Sequence, residues 1–198
     1  MRTELYTEQQ ARLPKTGQHL IADHDDDTLI VYQAFKPAIA DYAVRHQAFG
    51  GPHYKHGRMT WIKPGFMWMM FRAGWATKVD QERILRLTIK RSGWEEILRQ
   101  AVHSSFKADI YDDEQAWKNA LANSGVRLQW DPDHDPEGNK LERRAIQIGL
   151  KGKILEAFHA DYLLQIEDIT PFVTAQRENR GTKLLVPIER VMENQERV

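Results

Sequence analysis

The sequence predicts a single α+β domain, a mixed or antiparallel sheet with flanking helices, spanning residues 28–198 behind an exposed N-terminal lead-in at 1–27. Three observations support this. The composition, 41% hydrophobic and 28% charged over 198 residues, is that of a globular chain long enough to bury one core without staples. β-Branched runs and helix-spaced apolar positions alternate along the chain, but without a βαβ rhythm and without a repeat. Proline and glycine mark several of the boundaries, as at Pro37, Gly50-Gly51-Pro52, Pro64 and Gly74.

Residues 1–27 carry Pro14, Gly17 and the acidic turn Asp23-His24-Asp25-Asp26-Asp27, which reads as exposed. Thr28 to Ala34 is β-branched and aromatic and predicts a buried strand. Pro37 suits the first turn of a helix that continues through Val44 and stops at Gly50-Gly51-Pro52. Arg58 to Lys63 predicts a short strand that Pro64 ends, and a helix then runs through Phe66–Arg72 and closes at Gly74. Ile84–Lys90 alternates as a strand does. Gly93–Ser105 and Asp113–Asn123 are spaced as helices, the second with Trp117 and Leu121 inward. Val126–Trp130 and Arg144–Leu150 predict strands joined by a polar Pro/Asp/Gly loop. Ile154–Leu164 predicts an amphipathic helix that Glu167 to Pro171 terminate, and Thr182–Val191 a last strand.

The charge pattern is uneven. The chain has 28 acids and 28 bases, a balance that argues against coating long duplex nucleic acid. Yet from Tyr42 to Val79 there is no Asp or Glu, while Arg45, Lys55, Arg58, Lys63, Arg72 and Lys78 all fall there. The same run holds Trp61, Trp68 and Trp75, and Met59, Met67, Met69 and Met70. A cationic, aromatic-rich region in a neutral protein suits an anion with a flat ring attached, as in a nucleotide. The strand-to-helix junction at Lys63-Pro64 would point free backbone N–H groups at a phosphate or carboxylate. Arg58, Lys63, Arg72 and Lys78 are then the candidate phosphate readers, and Trp61, Trp68 or Tyr32 the stacking surface. Against this stands the alternative that Trp68, Met69 and Phe71 simply fill the core.

Tyr32 and Gln33 are polar groups in an otherwise buried run, so each needs an internal partner or a ligand. Candidate acids are Glu142, Glu167, Asp168 and Glu189, the last lying inside an apolar run. Asp131, Asp133, Asp135 and Glu142 mimic a calcium loop, but Pro136 stands where that loop requires Gly. His53 and His56 are spaced as metal ligands without a third, so no metal is expected; their Gly/His/Tyr loop reads as flexible and solvated, and could close over a site. Dinucleotide, NTPase and esterase glycine motifs do not occur. The absence of cysteine suits a reducing compartment. With no signal-like N-terminus and no apolar run of about 20 residues, the expectation is a cytoplasmic protein without membrane contact.

Several blocks together resemble the DUF4291 family: Val31–Phe35, Arg58–Met69, Arg72–Lys78, Gln81–Arg83, Arg144–Leu150 and Glu167–Thr170. The resemblance spans about residues 29 to 191. Gly65 and Ala73 stand where that family often has Ser, which lowers any serine mechanism. The resemblance implies a family of unknown function and no mechanism. The order of elements is also similar to ADP-ribosyltransferase-like domains, which grip NAD between adjacent strands and a following helix. That layout would set Tyr32, Gln33, Arg58, Trp61 and Lys63 around NAD, with Glu189 as the late-strand acid. The leading expectation is an enzyme, a transferase acting on a nucleotide or nucleic-acid end, with Lys63 and Glu189 catalytic and NAD-dependent ADP-ribosyl transfer as its sharpest form. The rivals are a non-catalytic binder of single-stranded nucleic acid and a structural or interaction module.

Overall fold

A computed structural model of the chain describes residues 1–193. The N-terminal segment forms β1 (Thr3–Leu5), α1 (Tyr6–Arg12), β2 (Gly17–Gln18) and β3 (Ile21–Ala22). Then come β4 (Thr28–Phe35), α2 (Pro37–His46), β5 (Thr60–Ile62), α3 (Phe66–Ala73), β6 (Arg83–Lys90), α4 (Arg91–Arg99), β7 (Ala101–His103) and α5 (Glu114–Asn123). The hairpin β8 (Val126–His134) and β9 (Lys140–Leu150) precedes α6 (Lys153–Ala157), which continues as a π-helical turn over Phe158–Tyr162. The chain continues through β10 (Leu163–Asp168), α7 (Thr170–Glu178), β11 (Leu185–Pro187) and β12 (Arg190–Val191). The expected α+β class holds, and the sheets are mixed: β2 on β9 and β7 on β8 are parallel, and the other pairings antiparallel.

Two sheets frame the molecule. One is three-stranded, in the order β10-β6-β4; in the other β9 carries β8 and then β7 on one side, and β2 and β5 on the other. A single bridge sews them together. Tyr32 N donates to Lys63 O at 2.7 Å and Lys63 N to Tyr32 O at 3.2 Å. Alternation along β4 sends Leu29 and Val31 into one core, with Trp94, Ile97, Ile148 and Phe158, and Ile30 and Tyr32 into the other, with α3 and α7. β4 and β6 are therefore covered on both faces, and their near-continuous apolar sequence follows from that.

α3 forms where expected. Gly65 precedes it in extended conformation, and Gly74 closes it at φ +55, in the left-handed region that glycine adopts without a steric penalty. Phe66, Met67, Met69 and Met70 are buried, so most of the Trp/Met block is core.

Elsewhere the structure corrects the sequence. The lead-in at 1–27 is not loose: β1 pairs with β11, β2 with β9 and β3 with β12, and Leu13, Leu20 and Ala22 are buried. The helix expected over 93–105 ends by Gln100, because Ala101–His103 pairs with Val126–Leu128. The helix expected to reach Leu164 gives way to β10, whose Gln165–Asp168 pair with Leu85–Thr88. α7 follows it, and the Glu167–Pro171 stretch read as a terminator is the junction between the two. The Asp131–Glu142 stretch lies in the β8–β9 hairpin, and its acids turn to different partners: Asp131 to Gln129 and Gln147, Asp133 to Arg143, Asp135 to the turn at Glu137 and Asn139. Among the described residues, no helix is long and apolar enough to cross a membrane.

Candidate functional site

Beyond the Tyr32–Lys63 bridge, β4 and β5 separate. A cleft of about 570 Å³ opens in the split, within the range of small-ligand sites. One wall is the end of β4 with Gln33, Phe35 and Lys36; the other is Met59, Thr60, Trp61 and Lys63. α3 closes the floor with Met69 and Arg72, three residues apart and so on one helix face. Trp61 and Lys63 are two apart in extended chain and share the cleft face, while Ile62 between them is buried in the core. The β4–β5 seam is thus what brings Gln33 and Lys63 together.

Trp61 stays in place through its register. It pairs with Gly149 of β9, and a Cβ on that glycine would sit 2.7 Å from Met59 Sδ and 3.1 Å from the Trp61 ring. Gly149→Ala is therefore expected to displace the indole while leaving β9 paired on both edges. Trp fluorescence should shift, the melting transition should stay cooperative, and affinity for a cleft ligand should fall roughly tenfold. An unmoved emission spectrum with unchanged affinity would remove Trp61 from the site.

Lys63 lies at the bottom of the cleft, 7% exposed. Burial, reinforced by the Arg72 charge and opposed by Asp131, pulls its ammonium down to about 8. Lys36, Lys55, Arg58 and Arg72 line the same cleft, against one carboxylate, Asp80. None of these five cations has a carboxylate oxygen within 4.0 Å among the described residues, which holds also for Arg45, Lys90, Arg127 and Arg144 outside the cleft; what sets the five apart is that they line one cavity. The Gln33 amide donates to Thr60 Oγ1 at 2.7 Å and Trp61 O at 3.2 Å. Its oxygen is buried and accepts nothing from the described residues. A buried acceptor of this kind calls for a donor.

The loop between α2 and β5 forms the remaining wall. Pro52, His53 and Lys55 to Arg58 are exposed, as a solvated loop would be, but Tyr54 tethers the stretch. Tyr54 stacks on Phe49 at 5.4 Å and its hydroxyl lies 3.2 Å from His159 Nε2, on the π-helical turn. Burial, helped by His56, takes the His159 imidazole down to about 4, so it stays neutral at ordinary pH. Tyr54 anchors the stretch that presents Lys55 and Arg58.

Of the residues predicted for the site, the structure brings together Gln33, Arg58, Trp61, Lys63 and Arg72. Tyr32, Trp68, Lys78 and Glu189 lie elsewhere. Tyr32 points from the other face of β4 into the second core, 5.6 Å from Phe66, and burial, with Glu189 nearby, raises its phenol well above 10. Trp68 is buried against Phe71 and His134, with the Arg72 guanidinium carbon 5.8 Å from its ring centroid, and does not line the cleft. Lys78 donates to Arg72 O at 2.7 Å and so caps the C-terminus of α3.

Glu189 is 3% exposed, and its Oε1 accepts from Phe66 N at 2.7 Å, so it caps the N-terminus of α3. It faces a void of only about 20 Å³, which it shares with Gln10, Trp68 and Arg143 and which is separate from the cleft. Burial drives its carboxyl well above the ordinary range, despite the Phe66 hydrogen bond. Glu189→Gln keeps the acceptor and is expected to fold with unchanged cleft chemistry. Because the folded protein holds this proton more tightly than the unfolded chain, wild type loses stability as pH rises above 4.5 while the Gln variant does not. Glu189→Ala leaves the Phe66 N–H without a partner and should cost about 1–3 kcal/mol. Denaturant midpoints at acid and neutral pH check both.

Sequence reasoning missed Lys36, Tyr54 and Asp80 as lining residues. A partial signal existed: the acid-free run ends immediately before Asp80, and Lys36 stands six residues before it begins.

A profile described as a domain of unknown function, DUF4291, matches residues 19–197. The chain belongs to the DUF4291 family. No curated protein matches it. The blocks that carried the resemblance to DUF4291 now separate by position. Arg58 to Lys63 builds the cleft and Gly149 supports it from β9. The Gln81–Arg83 and Glu167–Thr170 blocks meet in a strut, in which Arg83 bridges Asp168 and, at 2.9 Å, Asp41, and Thr170 Oγ1 accepts from Ile84 N at 2.9 Å. That strut fixes β6 against α2 and α7, while Gln81 of the same block lines the cleft.

Proposed function

We propose that the protein is an enzyme acting on a nucleotide or nucleic-acid end held in the β4–β5 cleft. The carrying observation is the convergence of Lys36, Lys55, Arg58, Lys63 and Arg72, without a carboxylate partner among the described residues, with Trp61 on one cleft. Lys63 and Arg72 meet the phosphate at the floor, the exposed Arg58 and Lys55 extend the cationic lining outward, and Trp61 and Phe35 give a flat apolar surface for the ring. An anion beside Lys63 favours its charged form further, so in the complex it stabilises negative charge developing at the phosphate.

NAD belongs to the ligand class. ADP-ribosyl transfer assisted by Glu189 does not, because that carboxylate caps α3 from the opposite side. The exposed Arg58 and Lys55 favour, as a second reading, a non-catalytic binder of single strands; product formation separates the two.

Calorimetric titration of ATP at pH 7 and 9 tests the proposal. Affinity should be flat below pH 8, where Lys63 is cationic, and fall about tenfold per pH unit above it, with proton uptake on binding. Binding that ignores Lys63→Met and pH alike would place the nucleotide elsewhere.

A further inference from the structure

The cleft's cations are graded in depth. Lys63 is buried, Lys36 half-buried, and Arg58, Lys55 and Arg72 exposed. They come from four separate places: the end of β4, the loop anchored by Tyr54, the end of β5 and the last turn of α3. One phosphate group carries about two negative charges against these five cations. A single anion would be met by Lys63 and Arg72, whose charges already repel each other at the floor. Lys36, Lys55 and Arg58 would then be left unanswered, with Asp80 as the one acid of the lining.

Resting on the nucleotide reading above, we infer that the ligand carries three or more phosphate charges in series, the innermost at Lys63 and the others running outward past Lys36 to Arg58 and Lys55. Two sources share that chemistry, a nucleoside triphosphate and the phosphorylated end of a single strand. NAD fits it poorly, since its two phosphates are partly offset by its own pyridinium cation. A chain of charges laid along a chain of cations releases several counterions on binding, so affinity should depend steeply on salt.

The test is calorimetric titration of the full chain with AMP, ATP, NAD and a 5′-phosphorylated trinucleotide, between about 50 and 200 mM salt. ATP or the trinucleotide should bind at least tenfold tighter than AMP or NAD and with a steeper salt slope, and the tighter of the two identifies the source. The double variant Lys55→Ala/Arg58→Ala, at exposed positions where folding is not at stake, should weaken ATP and trinucleotide binding at least tenfold and flatten their salt slopes, with a clearly smaller loss for AMP. Equal affinity and slope for all four ligands, or tightest binding by NAD, would overturn the inference and leave the nucleotide reading standing. If no nucleotide binds, both fall.

Discussion

Lys63→Met will bind nucleotide at least a hundredfold more weakly than wild type, and at pH 7 it will be the more stable protein. The ammonium sits 7% exposed without an ion-pair partner, and burial moves it from 10.5 to about 8, which corresponds to roughly 3 kcal/mol of folding free energy at neutral pH. The unfolded chain binds this proton more tightly than the folded one. The destabilisation is therefore full below pH 8, shrinks as pH rises, and is gone above 10.5. Methionine places an apolar chain of similar length against Met69 and Trp61 without that penalty. Urea unfolding of both proteins at pH 7, 9 and 10.5 should show the variant ahead by roughly 2–3 kcal/mol at pH 7, and the gap closing with pH. A variant less stable than wild type at pH 7 would mean that the lysine serves the fold, and the cleft would lose its central residue. A charge retained at a cost to stability fits a group kept for its ligand.

The second large effect lies on the other side of α3. Arg143 Nε donates to Asp133 Oδ2 at 2.7 Å and Nη1 to Gln10 Oε1 at 2.7 Å, both members of the ion pair being nearly inaccessible. These contacts tie α1 to the β8–β9 hairpin beside the β2–β9 pairing. Arg143→Ala leaves the Asp133 carboxylate buried and unanswered and should destabilise by about 3–5 kcal/mol, or roughly 10 °C in Tm. Hydrogen exchange should rise first across residues 3–22. Replacing both partners, Arg143→Met with Asp133→Leu, should recover most of the loss, because an apolar pair leaves no lone charge. Should Arg143→Ala unfold at the wild-type temperature, the N-terminal segment is held by its strand pairings alone. Nucleotide affinity measured below the transition should stay within about threefold of wild type, since neither residue lines the cleft.

Several elements could be read directly because their signals are local. β4, α2, α3 and β6 carry their own periodicity, their own proline at the start or glycine at the end, and need no knowledge of a partner. β10 was hidden because Leu163–Asp168 continues an apolar pattern begun by α6, and only pairing with β6 turns it extended. The strands at 3–5, 17–18 and 21–22 are too short for any periodicity; backbone hydrogen bonds to β11, β9 and β12 define them.

The site divides in the same way. The acid-free run from Tyr42 to Val79 supplies Lys55, Arg58, Lys63 and Arg72 to the cleft lining, and its composition is visible without the fold. Alternation then separates Trp61 and Lys63 from Ile62. The sequence by itself therefore determined the class of fold, the helix boundaries around Gly65 and Gly74, and the cationic segment. Only the tertiary structure decided that Arg58, Lys63 and Arg72 face one cleft with Lys36, while Lys78 and Glu189 cap the two ends of α3. The physical reason is that a helix end or a buried charge is answered by whichever group the fold brings within about 3 Å, at any distance along the chain.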